Sequence, residues 1–188
     1  MERLAAAVAA GLTTLGENRV QEAAPKVAAF PDVEWHLVGQ LQGNKAGRAV
    51  ELFSVIQSVD SMPLAERLAR IADTRTVRIL LQVNVDADPA KAGFSAVDLD
   101  AHLGPLLELP GLRVEGLMTV GRLVDRPDDA RSTFVALREL SELLRARHGA
   151  LGGALSMGMS DDFEVAVEEG ATIVRVGRAL FGDRPPIT

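Results

Sequence analysis

The chain has 188 residues, of which 47% are hydrophobic and 24% are charged, which suits one globular domain with a full core but not two. Its net charge of -6 disfavours nucleic acid and anionic membranes as main partners. It contains no cysteine, so thiolate metal sites, disulfides and cysteine nucleophiles are excluded for this sequence. No apolar run approaches the roughly 18 residues of a membrane span, and the amphipathic start does not resemble a signal peptide. We therefore expect a cytoplasmic protein.

Helical and strand patterns alternate along the whole chain. Strands are predicted at 13–16, 34–39, 54–60, 78–85 and 112–120, and helices at 4–10, 20–30, 45–52, 63–72, 99–109 and 128–148. Residues 155–182 read as a strand, a helix and a second strand, which brings the number of strands to seven. Such alternation predicts a parallel sheet covered by helices. No linker or change in composition divides it, so residues 1–188 are predicted to form one domain.

Seven strands fit neither common parallel architecture well. A (β/α)₈ barrel needs eight strands to close, and an open doubly wound sheet usually has fewer than seven. The sequence has no G-x-G-x-x-G or Walker-type loop, which disfavours dinucleotide and nucleotide binding. Polar residues at the carboxyl ends of the strands favour a barrel, whose active sites lie on that rim.

The last two strands carry the most specific pattern on this rim. Gly177 allows a ligand to approach the backbone closely, and the amides of Gly177 and Arg178 face outward where a final helix begins. Ser156 is predicted to add a hydroxyl from the neighbouring strand. Arg175 alternates with inward valines and is predicted to point into the barrel mouth. The sequence thus predicts a phosphate site here.

Ser160 and Asp161, which follow the strand that contains Ser156, have a structural interpretation. Ser160 or Asp161 is predicted to cap the helix that follows, because Asp161 and Glu164 have the spacing of a capping pair. Two carboxylates at that point would repel a phosphate, which favours Gly177 and Arg178 as the anion cradle.

Five motifs in order along the chain resemble the pyridoxal phosphate homeostasis family. They are GENRVQE (16–22), WHLVGQLQGNK (35–45), GLMTVG (116–121), SMGMSDDFEVAVEEG (156–170) and VRVGRALFG (174–182). The resemblance implies a TIM-type (β/α)₈ barrel of the alanine racemase N-terminal-domain kind that binds pyridoxal phosphate. It also implies a role in vitamin B6 supply and amino-acid balance without established turnover.

The resemblance assigns roles to individual residues. Arg175 corresponds to the arginine that faces the pyridine nitrogen, and a guanidinium leaves that nitrogen unprotonated, which discourages carbanion chemistry. Ser156, Gly177 and Arg178 correspond to phosphate contacts, with Arg178 contributing its amide. Asn18 is expected near the cofactor.

The sequence departs from the family in one respect. The family's first strand ends in the lysine that attaches the cofactor as a Schiff base, and it precedes the helix that begins here near residue 2. The chain's lysines are Lys26, Lys45 and Lys91, which we interpret as a surface residue, a weak substitute at the rim and a loop residue. We therefore expect a barrel lacking its first strand, through an upstream gene start or a shortened chain, and a non-covalent cofactor at best.

Three functions remain open from the sequence. The first is a non-catalytic pyridoxal phosphate carrier, with apo forms of pyridoxal phosphate enzymes as candidate partners. The second is an amino-acid racemase-like enzyme, which would need a lysine and a tyrosine as acid and base, whereas this sequence has no tyrosine. The third is a degenerate phosphate-binding scaffold. No spacing indicates a metal site, and His36 and Trp35 are predicted to be core residues.

Overall fold

The computed structural model describes residues 1–122 and 124–182, and within them seven parallel strands form one sheet. Each strand is hydrogen-bonded to the next one in the chain. In order they are β1 (Thr14–Glu17), β2 (Glu34–Leu37), β3 (Val55–Val59), β4 (Val77–Gln82), β5 (Leu112–Met118), β6 (Ala154–Met159) and β7 (Ile173–Arg175).

A helix follows every strand, and one further helix precedes β1. The helices are α1 (Glu2–Ala9), α2 (Val20–Ala29), α3 (Ala46–Leu52), α4 (Met62–Ala72), α5 (Ala96–Leu107), α6 (Arg131–Arg147), α7 (Phe163–Glu168) and α8 (Arg178–Phe181). Within the described ranges, no helix has the length and apolar character needed to cross a membrane.

The sheet curls into a nearly closed barrel. Strands β3 and β6 are three places apart in the sheet, a separation of roughly 14 Å if the sheet were flat. The Ser156 hydroxyl on β6 nevertheless lies 2.6 Å from the Gln57 side-chain oxygen on β3. The sheet must therefore bend around a common interior, with β1 and β7 as its two ends.

Alternation along the strands separates an outer core from the barrel interior. The larger apolar cluster lies between the sheet and the helices and includes Trp35, Leu68 and Phe134. A small second cluster of Val55, Leu80 and Met118 lies in the interior, with further apolar residues packed against it. Buried polar side chains such as Gln57 and Ser156 share this interior, so the inside of the barrel is partly hydrophilic.

The predicted fold class is confirmed, with seven parallel strands and helices outside them. Several element boundaries differ from the sequence prediction by one to three residues, and two of these differences have a clear local cause. The long helix predicted from residue 128 begins at Arg131, because Pro127–Ala130 form a 3₁₀ turn. The strand predicted at 78–85 ends at Gln82, where the Asn84 side chain donates to the Asp88 carbonyl (2.7 Å) and accepts from the Asp88 amide (3.1 Å), closing a loop.

Candidate functional site at the carboxyl end of the barrel

Arg175, the last residue of β7, provides the cation at the mouth of the barrel. Its side chain is half-buried and is fixed by two hydrogen bonds: Nη1 donates to the Ser156 hydroxyl (2.8 Å) and Nη2 donates to the Thr119 carbonyl (2.7 Å). Burial lowers the pKa of the Arg175 guanidinium to about 10, with Asp162 acting in the opposite direction. Arg175 is therefore protonated at neutral pH and can only donate hydrogen bonds.

Ser156 lies below this arginine, inside the barrel. It is fully buried, and its hydroxyl accepts from Arg175 while donating to Gln57 Oε1. In the sheet it is level with Ile173, two residues before Arg175. The structure thus brings Ser156 to the guanidinium of Arg175 rather than to the loop of Gly177, and its predicted phosphate contact stays a prediction.

Gly177 leaves an open space at the rim. Its φ of -110° and ψ of -66° can be adopted by any residue, and a Cβ atom built on it would have nothing within 4 Å. Neither the backbone nor the packing of this chain requires glycine at position 177. The absence of a side chain keeps the backbone between β7 and α8 accessible, which is the property expected of an anion cradle.

Ser160 and Asp161 contact the start of α8, so the prediction that they cap α7 is wrong. The N-cap of α7 is Asp162, whose carboxylate accepts from the Met159 amide (2.6 Å). The Ser160 hydroxyl accepts from the Ala179 amide (3.3 Å), and the Asp161 carboxylate pairs with the Arg178 guanidinium. Ser160 therefore belongs to the rim beside Gly177.

Asn18 lies at the end of β1 in a separate polar cleft of about 230 Å³. The cleft is lined by Asn18, Arg19, Val20, Gln21, Gln40, Gln42 and Lys45. Neither Arg175 nor Gly177 lines it. The structure therefore places Asn18 and Lys45 together on the rim, and it groups them apart from the β6–β7 residues.

The other two lysines occupy ion pairs. Lys26, predicted as a surface residue, is partly buried and donates to the buried Glu17 carboxylate. Lys91 lies in the loop after β4, where its Nζ is 3.9 Å from Asp86 and 3.8 Å from Asp88. This position agrees with the loop role predicted for it.

Below the site, the barrel interior holds a histidine beside three charged groups. Gln57 Nε2 lies 2.7 Å from His36 Nδ1, and His36 Nε2 is 3.6 Å from Glu34 Oε1. Arg78 bridges Glu34 and Glu115. Burial lowers the pKa of His36, an effect that Arg78 adds to and that Glu34 and Glu115 oppose. His36 is a core residue, as predicted, and it is neutral at physiological pH.

The lowered pKa of His36 predicts a loss of stability in mild acid. The unfolded chain binds a proton near the ordinary value of 6.5, whereas the folded chain binds it only at lower pH. The free energy of unfolding should fall as the pH drops below 6.5, by at most about 1.4 kcal/mol per pH unit from this group. Urea denaturation between pH 8 and pH 5 measures this slope.

The matched variants for that experiment are His36→Asn and His102→Asn. Asparagine at position 36 keeps an acceptor for Gln57 but does not titrate, so its slope between pH 6.5 and 5 should be shallower than that of the wild type. His102 is exposed on α5, and its replacement controls for the change of histidine to asparagine at the surface. Equal slopes for wild type and His36→Asn would show that His36 is not held neutral by the fold.

Comparison with known proteins assigns this chain to one family. The model of the alanine racemase N-terminal domain matches residues 1–185. The pyridoxal phosphate homeostasis protein of Aquifex aeolicus is 42% identical over 178 residues, which are 93% of this chain and 78% of that protein. The Escherichia coli K12 protein of the same name is 35% identical over 96% of this chain and 80% of its own length. The chain belongs to the pyridoxal phosphate homeostasis protein family.

Solved structures agree with this assignment. PipY of Synechococcus elongatus PCC7942, solved with pyridoxal phosphate bound, is 44% identical and superposes with a TM-score of 0.89 over 96% of this chain and 87% of that one. An alanine racemase of Clostridium difficile 630 superposes with a TM-score of 0.76 at 14% identity, covering 92% of this chain and 46% of the racemase. The racemase shares the fold.

Proposed function

We propose that this chain binds pyridoxal 5′-phosphate at the β6–β7 rim and acts as a cofactor carrier in vitamin B6 homeostasis. The observation that carries the proposal is Arg175, a half-buried, protonated guanidinium fixed at the barrel mouth beside the open backbone of Gly177. The family supports it, since PipY is described with this cofactor bound.

The residues present fit both ends of the cofactor. A guanidinium is a hydrogen-bond donor only, so Arg175 suits the unprotonated pyridine nitrogen. The open backbone at Gly177, the Arg178 amide and the Ser160 hydroxyl suit the phosphate at the other end of the ring. When bound, the cofactor supplies an electron sink, which is weak if its ring nitrogen stays unprotonated. That chemistry favours a carrier function over turnover.

The cellular role is part of the same proposal. We place the protein in the cytoplasm, holding the cofactor non-covalently and releasing it to apo forms of pyridoxal phosphate enzymes. Lys26 and Lys91 lie in ion pairs with carboxylates, and Lys45 lines the cleft of Asn18, which includes neither Arg175 nor Gly177. These positions support binding without covalent attachment. Transfer would be seen as faster reactivation of an apo enzyme by the loaded chain than by the same concentration of free cofactor.

The proposal is tested by comparing three ligands in calorimetric titrations. Pyridoxine 5′-phosphate lacks the aldehyde and cannot attach covalently, so it should bind about as well as pyridoxal 5′-phosphate. Pyridoxal lacks the phosphate and should bind at least about tenfold more weakly, since charge-assisted hydrogen bonds are lost. A covalent adduct found by mass spectrometry after borohydride treatment would contradict non-covalent binding, and failure of both phosphates to bind would overturn the proposal.

Replacement of Gly177 by valine should weaken binding of both phosphates by about tenfold or more, because the new side chain would occupy the space open to the ligand. The melting temperature should not fall, since a Cβ there meets nothing within 4 Å. Gly149→Val is the control: that Cβ also has open space, but position 149 precedes β6 at the opposite end of the barrel. Unchanged affinity in Gly177→Val would exclude this loop as the phosphate site.

A further inference from the structure

A chain of hydrogen bonds leads from Arg175 across the interior of the barrel. Arg175 Nη1 lies 2.8 Å from Ser156 Oγ, Ser156 Oγ lies 2.6 Å from Gln57 Oε1, and Gln57 Nε2 lies 2.7 Å from His36 Nδ1. Ser156, Gln57 and His36 are all buried. The bond between Ser156 and Gln57 joins β6 to β3, so it spans the interior of the barrel.

The chemistry of the two ends fixes the direction of every bond in this chain. A guanidinium can only donate, so Ser156 accepts from Arg175 and must give its single proton to another group. The acceptor is Gln57 Oε1, which turns the Gln57 NH₂ group toward His36. His36 Nδ1 must then carry a lone pair, and its proton resides on Nε2, which faces Glu34.

The reverse orientation of Gln57 leaves a buried group without a partner. If the amide were turned, Ser156 would receive donors from both Gln57 and Arg175, and its own proton would have no acceptor within this chain of bonds. His36 Nε2 is buried without a hydrogen-bond partner in either orientation, so the Ser156 proton decides between them. The Arg175 guanidinium therefore sets the direction of the Ser156 hydroxyl and of the Gln57 amide, and the Gln57 NH₂ group selects the His36 tautomer that accepts at Nδ1.

We propose that Gln57 is a positioning residue, which acts through Ser156 to hold the plane of the Arg175 guanidinium, with His36 as the acceptor that holds the far end of the Gln57 amide. This proposal extends the proposed function and depends on it for the identity of the bound ligand. Two hydrogen bonds, to Ser156 and to the Thr119 carbonyl, determine where the remaining Arg175 donors point. Gln57 controls one of these two, and through it the contact with a pyridine nitrogen.

The first arm of the test needs no ligand. Long-range ¹H–¹⁵N NMR of the chain at pH 7.5 should show His36 protonated on Nε2 and unprotonated on Nδ1. In Gln57→Glu both carboxylate oxygens can only accept hydrogen bonds, one from Ser156 and the other from His36. His36 should therefore carry a proton on Nδ1. A wild-type His36 protonated on Nδ1 would reverse the direction of the chain and overturn the proposal, whether or not the protein binds pyridoxal phosphate.

The second arm uses pyridoxine 5′-phosphate as the probe and Gln57→Leu as the variant. Affinity should fall about tenfold, as for loss of an oriented charge-assisted hydrogen bond, and the ultraviolet absorption of the bound ring should shift toward that of the protonated pyridine. Affinity for inorganic phosphate should not change, because Gln57 lies away from the Gly177 loop. Unchanged ring absorption in Gln57→Leu would overturn the proposal.

Gln82→Leu is the matched control for this arm. Gln82 is a buried glutamine on the adjacent strand β4, and its side chain donates to the Ala92 carbonyl (2.9 Å). Its loss should cost stability in a similar way without changing the ring absorption. An equal shift in Gln82→Leu and Gln57→Leu would show a general effect of barrel destabilisation. If the wild type binds no pyridoxine phosphate, the proposed function fails while the NMR arm still decides the positioning role.

Discussion

Replacing Arg175 by glutamate is expected to weaken pyridoxal phosphate binding by roughly tenfold to a hundredfold, which is the range for losing a hydrogen bond from a charged group. The substitution removes the donor that faces the ring nitrogen and introduces an acceptor. A carboxylate favours a protonated ring nitrogen, so the ligand that still binds should show the absorption of the protonated pyridine. The glutamate would also face the Thr119 carbonyl, which now accepts from Arg175 (2.7 Å).

Two companion variants separate the causes of this effect. Arg175→Met removes the cation without adding an anion, so it should weaken binding and shift the ring absorption toward the protonated pyridine less than Arg175→Glu does. Arg113→Glu makes the same change of charge at a largely exposed arginine near the start of β5, and it should leave binding unchanged. Wild-type affinity and absorption in Arg175→Glu would show that Arg175 does not contact the ring.

The strand pattern allowed part of this site to be predicted. Arg175 lies between Val174 and Val176 on a short strand, and period-two alternation gives its side chain a definite face. The same alternation was sufficient, together with the helices between the strands, to predict the parallel sheet. Every element is consistent with that one architecture.

Alternation could not be followed along β6 beyond Ser156, and Ser160, which was predicted to cap α7, contacts the start of α8 instead. The pairing of β6 with β7 shifts between Ser156 and Met159, and Gly158 within that interval has a φ of +89°. A Cβ at Gly158 would lie 2.5 Å from the Ala166 Cβ on α7, so close packing of strand and helix accompanies the irregularity. Counting residues cannot locate such a shift, which changes the face of every residue after it.

Gln57 and His36 illustrate a second limit of the sequence. Their positions on β3 and β2 indicate which face they occupy, but not which side chains they meet inside the barrel. Gln57 is 99 residues from Ser156 and 21 from His36. His36 and Gln57 lie on adjacent strands, but only the curvature of the sheet brings Gln57 to Ser156, and curvature is a property of all the strands at once.

Replacing Gly116 by alanine is expected to cause the largest loss of stability among these variants. Gly116 lies on β5 with a φ of +154°, and a Cβ there would be 2.0 Å from the Ala154 carbonyl oxygen on β6. The new Cβ would clash with the backbone of the paired strand, so no side-chain rotation relieves it. Strain and lost pairing should lower the free energy of unfolding by on the order of 3 kcal/mol or more.

The same substitution should also disturb the site, because Gly116 pairs with Ala154 at the start of the β5–β6 ladder. That ladder places Met118 opposite Ser156, and the next residue, Thr119, provides the second contact of Arg175. A shift between β5 and β6 would separate the two groups that hold the guanidinium. Pyridoxine phosphate affinity should therefore fall even at temperatures where the variant remains folded.

Gly47→Ala is the control variant, and it should raise the free energy of unfolding rather than lower it. Gly47 lies inside α3, and its Cβ would have nothing within 4 Å, so alanine should stabilise the helix by up to about 1 kcal/mol. Urea denaturation of the three proteins, with pyridoxine phosphate titrations of each at a temperature where all are folded, measures both effects. If Gly116→Ala unfolds at the same urea concentration as the wild type, the close approach of β5 and β6 at this residue is incorrect. If it is destabilised but binds normally, Arg175 does not depend on the alignment of Ser156 with Thr119.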